Sequence, residues 1–345
     1  MGPQGLGITF VTLPLVIRAA AGGQWCYDSQ DPKCGPSHWK ELKATCGGSK
    51  QSPVNIDRRR LQRDSGLGDI VFEGYDQAPP GKWRLVNNGH TVMLSLEGEP
   101  ASEHIAISGG GLPGRYRALQ LHFHWGSPAG NGSEHTLDGH QLPMELHIVH
   151  INAKYRTLGE AKGHPSGLAV LGCFFQVSEA PNPNYNTIVS GLRNISHAGQ
   201  SVDLASTFRL STLLPRASRL SRYYRYQGSL TTPDCSEAVI WTVFEEPVDI
   251  GWAQLRAFVN TVYFPASGRR APEDDQQLPP AAAAPQPQGL RLQGRHLQPR
   301  LPRPPPVPAA PAGPAQPPLS IPIGSGTPAR RLLAPKIFAK KQGNI

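Results

Sequence analysis

The chain has 345 residues, of which 38% are hydrophobic and six are tryptophan. This composition can bury a core and excludes a wholly disordered chain. No apolar run approaches the roughly 20 residues of a membrane-spanning helix. The net charge of +9 lies almost entirely in the segment from Pro265 onward, where eight Arg and three Lys accompany three acidic residues. Residues 1–264 are nearly neutral, so we expect no nucleic-acid partner. Since the chain has no long apolar run, we also expect no transmembrane span.

The first 23 residues resemble a secretory leader. An apolar stretch over residues 8–17 is followed by small residues over 19–23, which is the order of parts in a signal peptide. We therefore predict a signal peptide over residues 1–23 and an extracellular location, with a buried strand as the alternative. In an exported protein, the sequons at Asn131 and Asn194 are candidate glycosylation sites.

The placement of the cysteines also favours an extracellular location. Cys26, Cys34, Cys46 and Cys235 lie among Gly, Pro and Thr residues typical of surface loops, and an oxidising compartment would pair them. Cys173 lies in an apolar run and is predicted to be a core residue. Four cysteines allow three pairings, and the residues alone do not choose among them.

Residues 24–264 have the pattern of many short strands separated by Gly, Pro and Asn. The clearest predicted strands cover residues 91–96, 119–125, 145–151, 168–177 and 238–244, and helices are predicted over 184–192 and 251–262. We predict one β-dominated α+β domain, built around a large twisted, mostly antiparallel sheet with a few peripheral helices.

Residues 265–345 contain 19 of the 36 prolines and show no amphipathic period. This predicts a disordered tail rich in Pro, Ala and Arg. Prolines recur at every third position from 299 to 317, so a polyproline II helix would align them on one face for a partner with an aromatic groove. An altered reading frame would also produce this composition.

Two predicted strands place histidines for a metal site. His122 and His124 are two residues apart, so they project to the same face of their strand. A second strand places His147 on one face with Glu145 and Val149. Three neutral imidazoles suit Zn²⁺ and leave the fourth tetrahedral position open, as in a catalytic site.

Polar neighbours on the same faces are candidate supports for these ligands. Gln120 shares the face of His122, and Glu145 shares the face of His147. A metal-ligating imidazole usually donates its second N–H to such an acceptor. His150 falls on the opposite face of its strand, which predicts a structural role.

Six segments of the chain resemble the signature sequences of α-class carbonic anhydrases, in family order and spacing. They are residues 51–56, 87–91, 122–127, 132–139, 144–150 and 228–233. The resemblance covers about residues 25–264 and is greatest to the secreted, lipid-anchored members. It implies a Zn²⁺ enzyme in which a zinc-bound hydroxide converts carbon dioxide to bicarbonate and a proton. It also implies inhibition by sulfonamides.

The resemblance assigns further roles by position. Thr231 would accept the proton of the zinc hydroxide and donate its own to Glu134, and His90, beside Asn88, would shuttle protons to solvent. The substrate pocket would be lined by Val149, Val170, Leu230, Thr232, Val239 and Trp241. The disulfide bonds would join Cys26 to Cys34 and Cys46 to Cys235, with Cys173 free.

The chain departs from the family pattern in several places. Asp234 stands where soluble relatives have proline, and Met93 where they have asparagine near the shuttle. After Phe264, the family's final strand motif and the hydrophobic anchor signal are missing, which predicts an uncovered sheet edge and no lipid anchor. The alternative function is a catalytically impaired binding or scaffold domain, but the intact histidines favour the enzyme.

Overall fold

The described part of the chain contains fifteen strands, in line with the β-rich pattern of the sequence. A computed structural model describes residues 25–96, 104–126 and 131–264 and the backbone of 337–338. The predicted signal peptide and nearly all of the predicted tail lie outside these residues. The strands are β1 (Asn55–Ile56), β2 (Gln62–Arg63), β3 (Ile70–Glu73), β4 (Arg84–Asn87), β5 (Val92–Ser95), β6 (Ala106–Gly109), β7 (Tyr116–Trp125), β8 (Thr136–Leu137), β9 (Met144–Asn152), β10 (Leu168–Ser178), β11 (Ser201–Asp203), β12 (Tyr223–Gly228), β13 (Val239–Phe244), β14 (Val248–Gly251) and β15 (Ile337–Phe338).

Four short α-helices accompany them: α1 (Trp39–Leu42), α2 (Leu158–Lys162), α3 (Asn186–Gly191) and α4 (Trp252–Thr261). Helix α2 begins where the Thr157 hydroxyl caps the backbone N–H of Glu160, which satisfies one of the unpaired donors of the first turn. Helix α4 buries Leu255 and Phe258, and Phe258 packs on Phe123 of β7 with 5.2 Å between ring centroids. None of the helices in the described ranges has the length and apolar content that crossing a membrane requires.

Thirteen strands form one sheet, with the main order β11-β4-β5-β7-β9-β10-β13-β12-β15-β2; β14 pairs with β10, and β6 joins β3 to β7. Nine of the thirteen pairings in the described chain are antiparallel. The single β-dominated α+β domain predicted from the sequence is therefore confirmed, and the predicted strands and helices match observed elements within a few residues.

Strand β9 lies at the centre of the sheet and is buried along its whole length. Its side chains alternate between the two faces, because successive residues of a strand point in opposite directions. Leu146 and Ile148 belong to the larger apolar cluster, which α3 and α4 cover. Val149 and Ile151 belong to a second cluster on the other face. The histidines of the candidate site lie on this second face.

Two disulfide bonds secure the N-terminal segment. The structure joins Cys26 to Cys34 and Cys46 to Cys235, which is the pairing implied by the family resemblance. Cys173 is free and fully buried, as its apolar surroundings predicted. The second bond attaches the segment before β1 to the loop between β12 and β13.

The sheet edge beside β12 differs from expectation. We predicted that this edge would be uncovered, since the family's final strand motif is missing after Phe264. Instead, the backbone of β15 pairs in parallel with Tyr224 and Arg225 of β12 and antiparallel with β2. A short segment near the end of the chain therefore occupies this edge, because strand pairing needs only backbone donors and acceptors.

Candidate metal centre and active site

Three histidines meet on the second face of the sheet. Strands β7 and β9 are antiparallel, and their register places His122 directly opposite His147 and His124 opposite Glu145. The three imidazole rings lie 4.6–5.2 Å apart, measured between centroids. One ligand atom from each ring lies within 4.8 Å of the others. The sequence prediction that these strands bring the three side chains together is thus met by the geometry.

Hydrogen bonds orient two of the rings. His122 Nδ1 lies 2.9 Å from Gln120 Oε1, and His147 Nε2 lies 2.8 Å from Glu145 Oε1. Each bond engages one nitrogen and leaves the other ring nitrogen for a metal. His124 Nε2 is buried without a hydrogen-bond partner among the described residues. Three nitrogens on converging side chains make a donor set that fits Zn²⁺.

Burial favours the neutral form of these imidazoles. It lowers the pKa of His122 to about 3, with the nearby His147 acting in the same direction. It also lowers the pKa of His124 and of His147. Neutral imidazole is the form that coordinates a metal, so these three candidate ligands need not lose a proton to bind one at neutral pH.

Glu145 holds several parts of the site together. Its Oε1 accepts from His147 Nε2 and, at 2.7 Å, from His135 Nδ1. Its Oε2 accepts from the backbone N–H groups of Glu134 and His135, both at 2.9 Å. Burial raises the pKa of Glu145, but the interactions with His135 and His147 outweigh burial and lower it well below its usual range. The carboxylate therefore remains ionised and fixes both the ligand and the backbone of Glu134.

The space next to Glu145 is small. Gly172 of β10 lies opposite His147, and a Cβ atom at Gly172 would come within 3.2 Å of Glu145 Oε1. Only glycine leaves the carboxylate this room without a shift of its neighbours.

A chain of hydrogen bonds continues from Glu145 away from the metal ligands. His135 Nε2 lies 2.6 Å from the Tyr226 hydroxyl, which lies 2.9 Å from the Ser52 hydroxyl. Ser52 Oγ accepts from the backbone N–H of Ser229 at 3.0 Å. We call His135, Tyr226, Ser52 and Ser229 the support chain. All four residues are buried. Through Glu145, the support chain connects the candidate ligand His147 to the loop that follows β12.

Thr231 lies in that loop, close to the second candidate catalytic group. Its side chain hydrogen-bonds Glu134, and both residues are buried. Burial and the charge of Glu145 raise the pKa of Glu134 well above its usual range, whereas the hydrogen bond with Thr231 lowers it. Oxygen atoms of Glu134 lie 3.3 Å from His124 Nδ1 and 3.8 Å from His147 Nδ1. A divalent cation at the histidines would favour the ionised carboxylate.

An apolar wall flanks the histidines. The register places Val149 opposite Val170, and Val170 opposite Trp241. Both valines, Val239 and Trp241 are buried in one cluster, and the partly buried Leu230 packs against it. The Trp241 ring also lies 4.8 Å from the His147 ring. Of the predicted pocket residues, only the partly exposed Thr232 lies outside this cluster, in the turn closed by Cys235 N–H to Thr232 O at 2.8 Å.

His90 lies in the turn between β4 and β5, where Asn88 Oδ1 accepts from the backbone N–H of His90. Its ring stacks on Trp25 with centroids 3.8 Å apart. Burial lowers the pKa of His90, and its Nδ1 is buried without a hydrogen-bond partner in the described chain. Strand β5 then carries Met93, which lies opposite His122. His90 is thus attached to the strand bordering the histidine cluster, next to an aromatic side chain that the sequence did not identify.

The structure also identifies residues that sequence reasoning missed. His135 and Ser52 lie in two of the family-like segments but have no assigned role there, and Tyr226 lies outside all six segments. Their signal in the sequence was weak, because each becomes part of the site only through contacts between distant segments. The two predicted glycosylation residues, Asn131 and Asn194, are exposed; their modification stays a prediction.

Comparison with known proteins places this geometry in a family. Residues 34–281 match the model of the eukaryotic-type carbonic anhydrases, which extends beyond the predicted domain end at 264. Carbonic anhydrase 15 from Mus musculus is 52% identical over 73% of this chain and 78% of its own length. Carbonic anhydrase 4 from Oryctolagus cuniculus is 41% identical over 74% of this chain and 82% of its own length.

Carbonic anhydrase 12 from Homo sapiens is 40% identical over 70% of this chain and 65% of its own length. The family match covers more than half of the chain and includes every element that carries the three histidines, Glu134 and Thr231. The chain therefore belongs to the eukaryotic-type carbonic anhydrase family.

Proposed function

We propose that this protein catalyses the reversible hydration of carbon dioxide to bicarbonate and a proton, with Zn²⁺ held by His122, His124 and His147. The observation that carries the proposal is the convergence of three neutral imidazoles beside a hydrogen-bonded Thr231–Glu134 pair and an apolar wall. Family membership supports the same reaction. When bound, zinc supplies the Lewis acidity that makes water a nucleophile at neutral pH.

Thr231 and Glu134 orient the attacking water in this proposal. An ionised carboxylate only accepts hydrogen bonds, so Thr231 must donate its single hydroxyl proton to Glu134. The Thr231 oxygen is then left as an acceptor, and a water molecule beside it must donate a proton to it. This arrangement turns a lone pair of the water toward the substrate. Both residues are buried, which keeps their orientation fixed.

The apolar wall receives carbon dioxide. The substrate is small and carries no charge, so it prefers a surface from which water is excluded. Val149, Val170, Val239 and Trp241 form such a surface next to His147. They offer the substrate contact area but almost no hydrogen bonds, which suits release of the charged product.

His90 is the proposed proton shuttle. Its imidazole accepts and releases protons close to neutral pH, and burial against Trp25 lowers its pKa. A lower pKa makes it a weaker base but speeds proton release to buffer. Loss of His90 should therefore slow turnover in weak buffer.

The disulfide bonds of the chain fit an extracellular enzyme. Two disulfide bonds are present, and such bonds persist in oxidising compartments. We therefore propose secretion with glycans on Asn131 and Asn194. We also propose that sulfonamides inhibit the enzyme, since an anionic sulfonamide nitrogen can bind zinc and donate to Thr231.

Stopped-flow measurement of carbon dioxide hydration on the full chain, titrated with Zn²⁺, tests this proposal. We expect activity to rise to a plateau at one zinc per chain and to be abolished by a sulfonamide. His90→Ala should reduce the rate in weak buffer, and added imidazole should restore part of it. A zinc-loaded protein without hydratase activity would refute the enzyme and favour the scaffold alternative. An unchanged His90→Ala rate would refute the shuttle alone.

A further inference from the structure

The loop that carries Thr231 runs from Ser229 to Glu237, between β12 and β13, and we call it the Thr231 loop. Its ends are joined by a hydrogen bond from Leu230 N–H to Ser236 O at 3.0 Å, and its tip by Cys235 N–H to Thr232 O at 2.8 Å. Neither bond connects the loop to another element. The position of Thr231 relative to the histidines therefore depends on contacts that the loop makes outside itself.

One side of the loop is fastened to the N-terminal segment. Cys235 forms the disulfide bond with Cys46. Glu237 Oε1 accepts from Gln51 Nε2 at 3.0 Å and from the backbone N–H of Lys50. The Thr45 hydroxyl donates to the backbone carbonyl of Asp234. These contacts all lie on the same stretch of chain, residues 45–51.

A different element contacts the loop through Asp234. Lys162, the last residue of α2, places its Nζ 3.0 Å from Asp234 Oδ2. The other carboxylate oxygen accepts from the Ser236 hydroxyl at 2.9 Å. Both charged side chains are partly buried, with 27% and 35% of their surface exposed for Lys162 and Asp234. The pair thus joins two residues that are 72 positions apart in the sequence.

Helix α2 is itself fixed to the substrate wall. Ala161, next to Lys162, is fully buried in the cluster that contains Val149, Val170 and Trp241. Leu158 packs against the same cluster. An ion pair from Lys162 to the Thr231 loop therefore connects that loop to the wall against which carbon dioxide would lie.

We propose that Lys162 and Asp234 are positioning residues, which hold the Thr231 loop against the substrate wall through a contact that is separate from the Cys46–Cys235 disulfide bond. The inference rests on the proposed function, since it concerns the placement of Thr231 for that reaction. Partial burial raises the pKa of Asp234, but hydrogen bonds from Lys162 and Ser236 outweigh it and lower that pKa. The Asp234 carboxylate is therefore ionised in the folded enzyme at neutral pH.

This role gives a reason for Asp234 at a position where soluble relatives have proline. A proline at position 234 would restrict the backbone itself, whereas Asp234 restricts it through a charged contact with another element. The Lys162 and Asp234 side chains both retain contact with solvent, and such ion pairs contribute little to global stability. The effect of this pair should consequently appear in the placement of the loop more than in the unfolding temperature.

Hydrogen exchange and kinetics on the full, zinc-loaded chain test the proposal with Lys162→Met, Asp234→Asn and the conservative Lys162→Arg. We expect the two pair-breaking variants to speed amide exchange in residues 229–237 but not in β13. They should lower kcat/KM and sulfonamide affinity by about three- to tenfold, because small misplacements of a catalytic group are costly. Zinc affinity should stay within about twofold, since no ligand is touched. Lys162→Arg should retain wild-type values.

Arg84→Met provides a control, because Arg84 forms an ion pair of similar length, 2.9 Å, with Asp203 between β4 and β11, although its side chains are more exposed. It should change neither the exchange of residues 229–237 nor kcat/KM. Unchanged exchange and kinetics in both pair-breaking variants would overturn the inference, as would an equal effect of Arg84→Met. A wild-type protein without hydratase activity would overturn the proposed function instead, and the exchange data would still decide whether the ion pair holds the loop.

Discussion

Two buried histidines on β9 differ in the partners of their ring nitrogens. His147 is 1% exposed and His150 is fully buried, and they lie three residues apart on opposite faces of one strand. His150 has both ring nitrogens engaged, with Nε2 2.7 Å from the Tyr75 hydroxyl and Nδ1 3.2 Å from the carbonyl of Ala169. His147 has Nε2 bound to Glu145, while its Nδ1 lies 3.8 Å from Glu134 Oε2, beyond hydrogen-bond distance.

The difference shows what distinguishes a ligand from a core histidine. Burial lowers the pKa of both imidazoles, so neutrality alone does not identify the metal site. What differs is the second nitrogen, which is satisfied by protein in His150 and left for a metal in His147. Burial without a free nitrogen gives a structural residue, and burial with one gives a candidate ligand.

The largest difference between the two histidines should appear when each is replaced by glutamine. We expect His147→Gln to weaken zinc binding by more than about a hundredfold, since even loss of a group supporting a ligand costs roughly 10–100-fold. His150→Gln should leave zinc affinity within about threefold of wild type. Competition with a fluorescent zinc chelator measures both. Equal losses in the two variants would contradict the distinction.

His150 should also make the stability of the fold depend on pH, because folding changes its affinity for a proton. Burial lowers its pKa from 6.5 to about 4 in the folded state. The unfolded chain therefore binds a proton more readily, and stability present above pH 6.5 is lost as pH falls through 4. The shift corresponds to about 3 kcal/mol at 1.36 kcal/mol per pKa unit.

Urea unfolding of zinc-loaded protein between pH 7 and 4.5 measures this loss. The free energy of unfolding should fall less steeply in His150→Gln than in wild type, because the variant has no group to protonate at that position. The slopes are compared within each protein, so any constant loss from the substitution itself cancels. Parallel pH curves would show that His150 does not carry the linkage.

The sequence predicted this division of β9 for a simple physical reason. Side chains alternate strictly along a strand, so His147 and His150, three positions apart, must lie on opposite faces. The same rule placed His122 and His124 on one face and predicted the acceptors Gln120 for His122 and Glu145 for His147. Alternation is a local property, and local properties can be derived from the order of residues.

Contacts between distant segments could not be derived in this way. His135 reaches Tyr226 across 91 residues and Lys162 reaches Asp234 across 72, and no period in the sequence relates such positions. The strand β15 was missed for a similar reason, since backbone pairing at a sheet edge needs no side-chain pattern. The family resemblance supplied Thr231 and Glu134 but gave no indication of the support chain behind them.

The smallest expected effect is the difference in stability between removing the Tyr226 hydroxyl, which hydrogen-bonds His135, and removing the nearby Tyr224 hydroxyl. In Tyr226→Phe, His135 Nε2 loses its partner at 2.6 Å, and a buried polar atom left without a hydrogen bond costs about 1–3 kcal/mol. Zinc affinity should fall by less than about tenfold, because Glu145 still binds His147 directly. Tyr224→Phe on the same strand is the matched control.

The Tyr224 hydroxyl is buried with no hydrogen-bond partner among the described residues, so its removal should leave stability unchanged or slightly higher. Chemical unfolding of both variants, with and without zinc, measures the contrast. Similar stabilities for the two phenylalanine variants would mean that the support chain does not stabilise the ligand's surroundings. A loss confined to Tyr226→Phe would extend the lesson of β9 to β12, because a buried tyrosine matters there only where its hydroxyl is hydrogen-bonded.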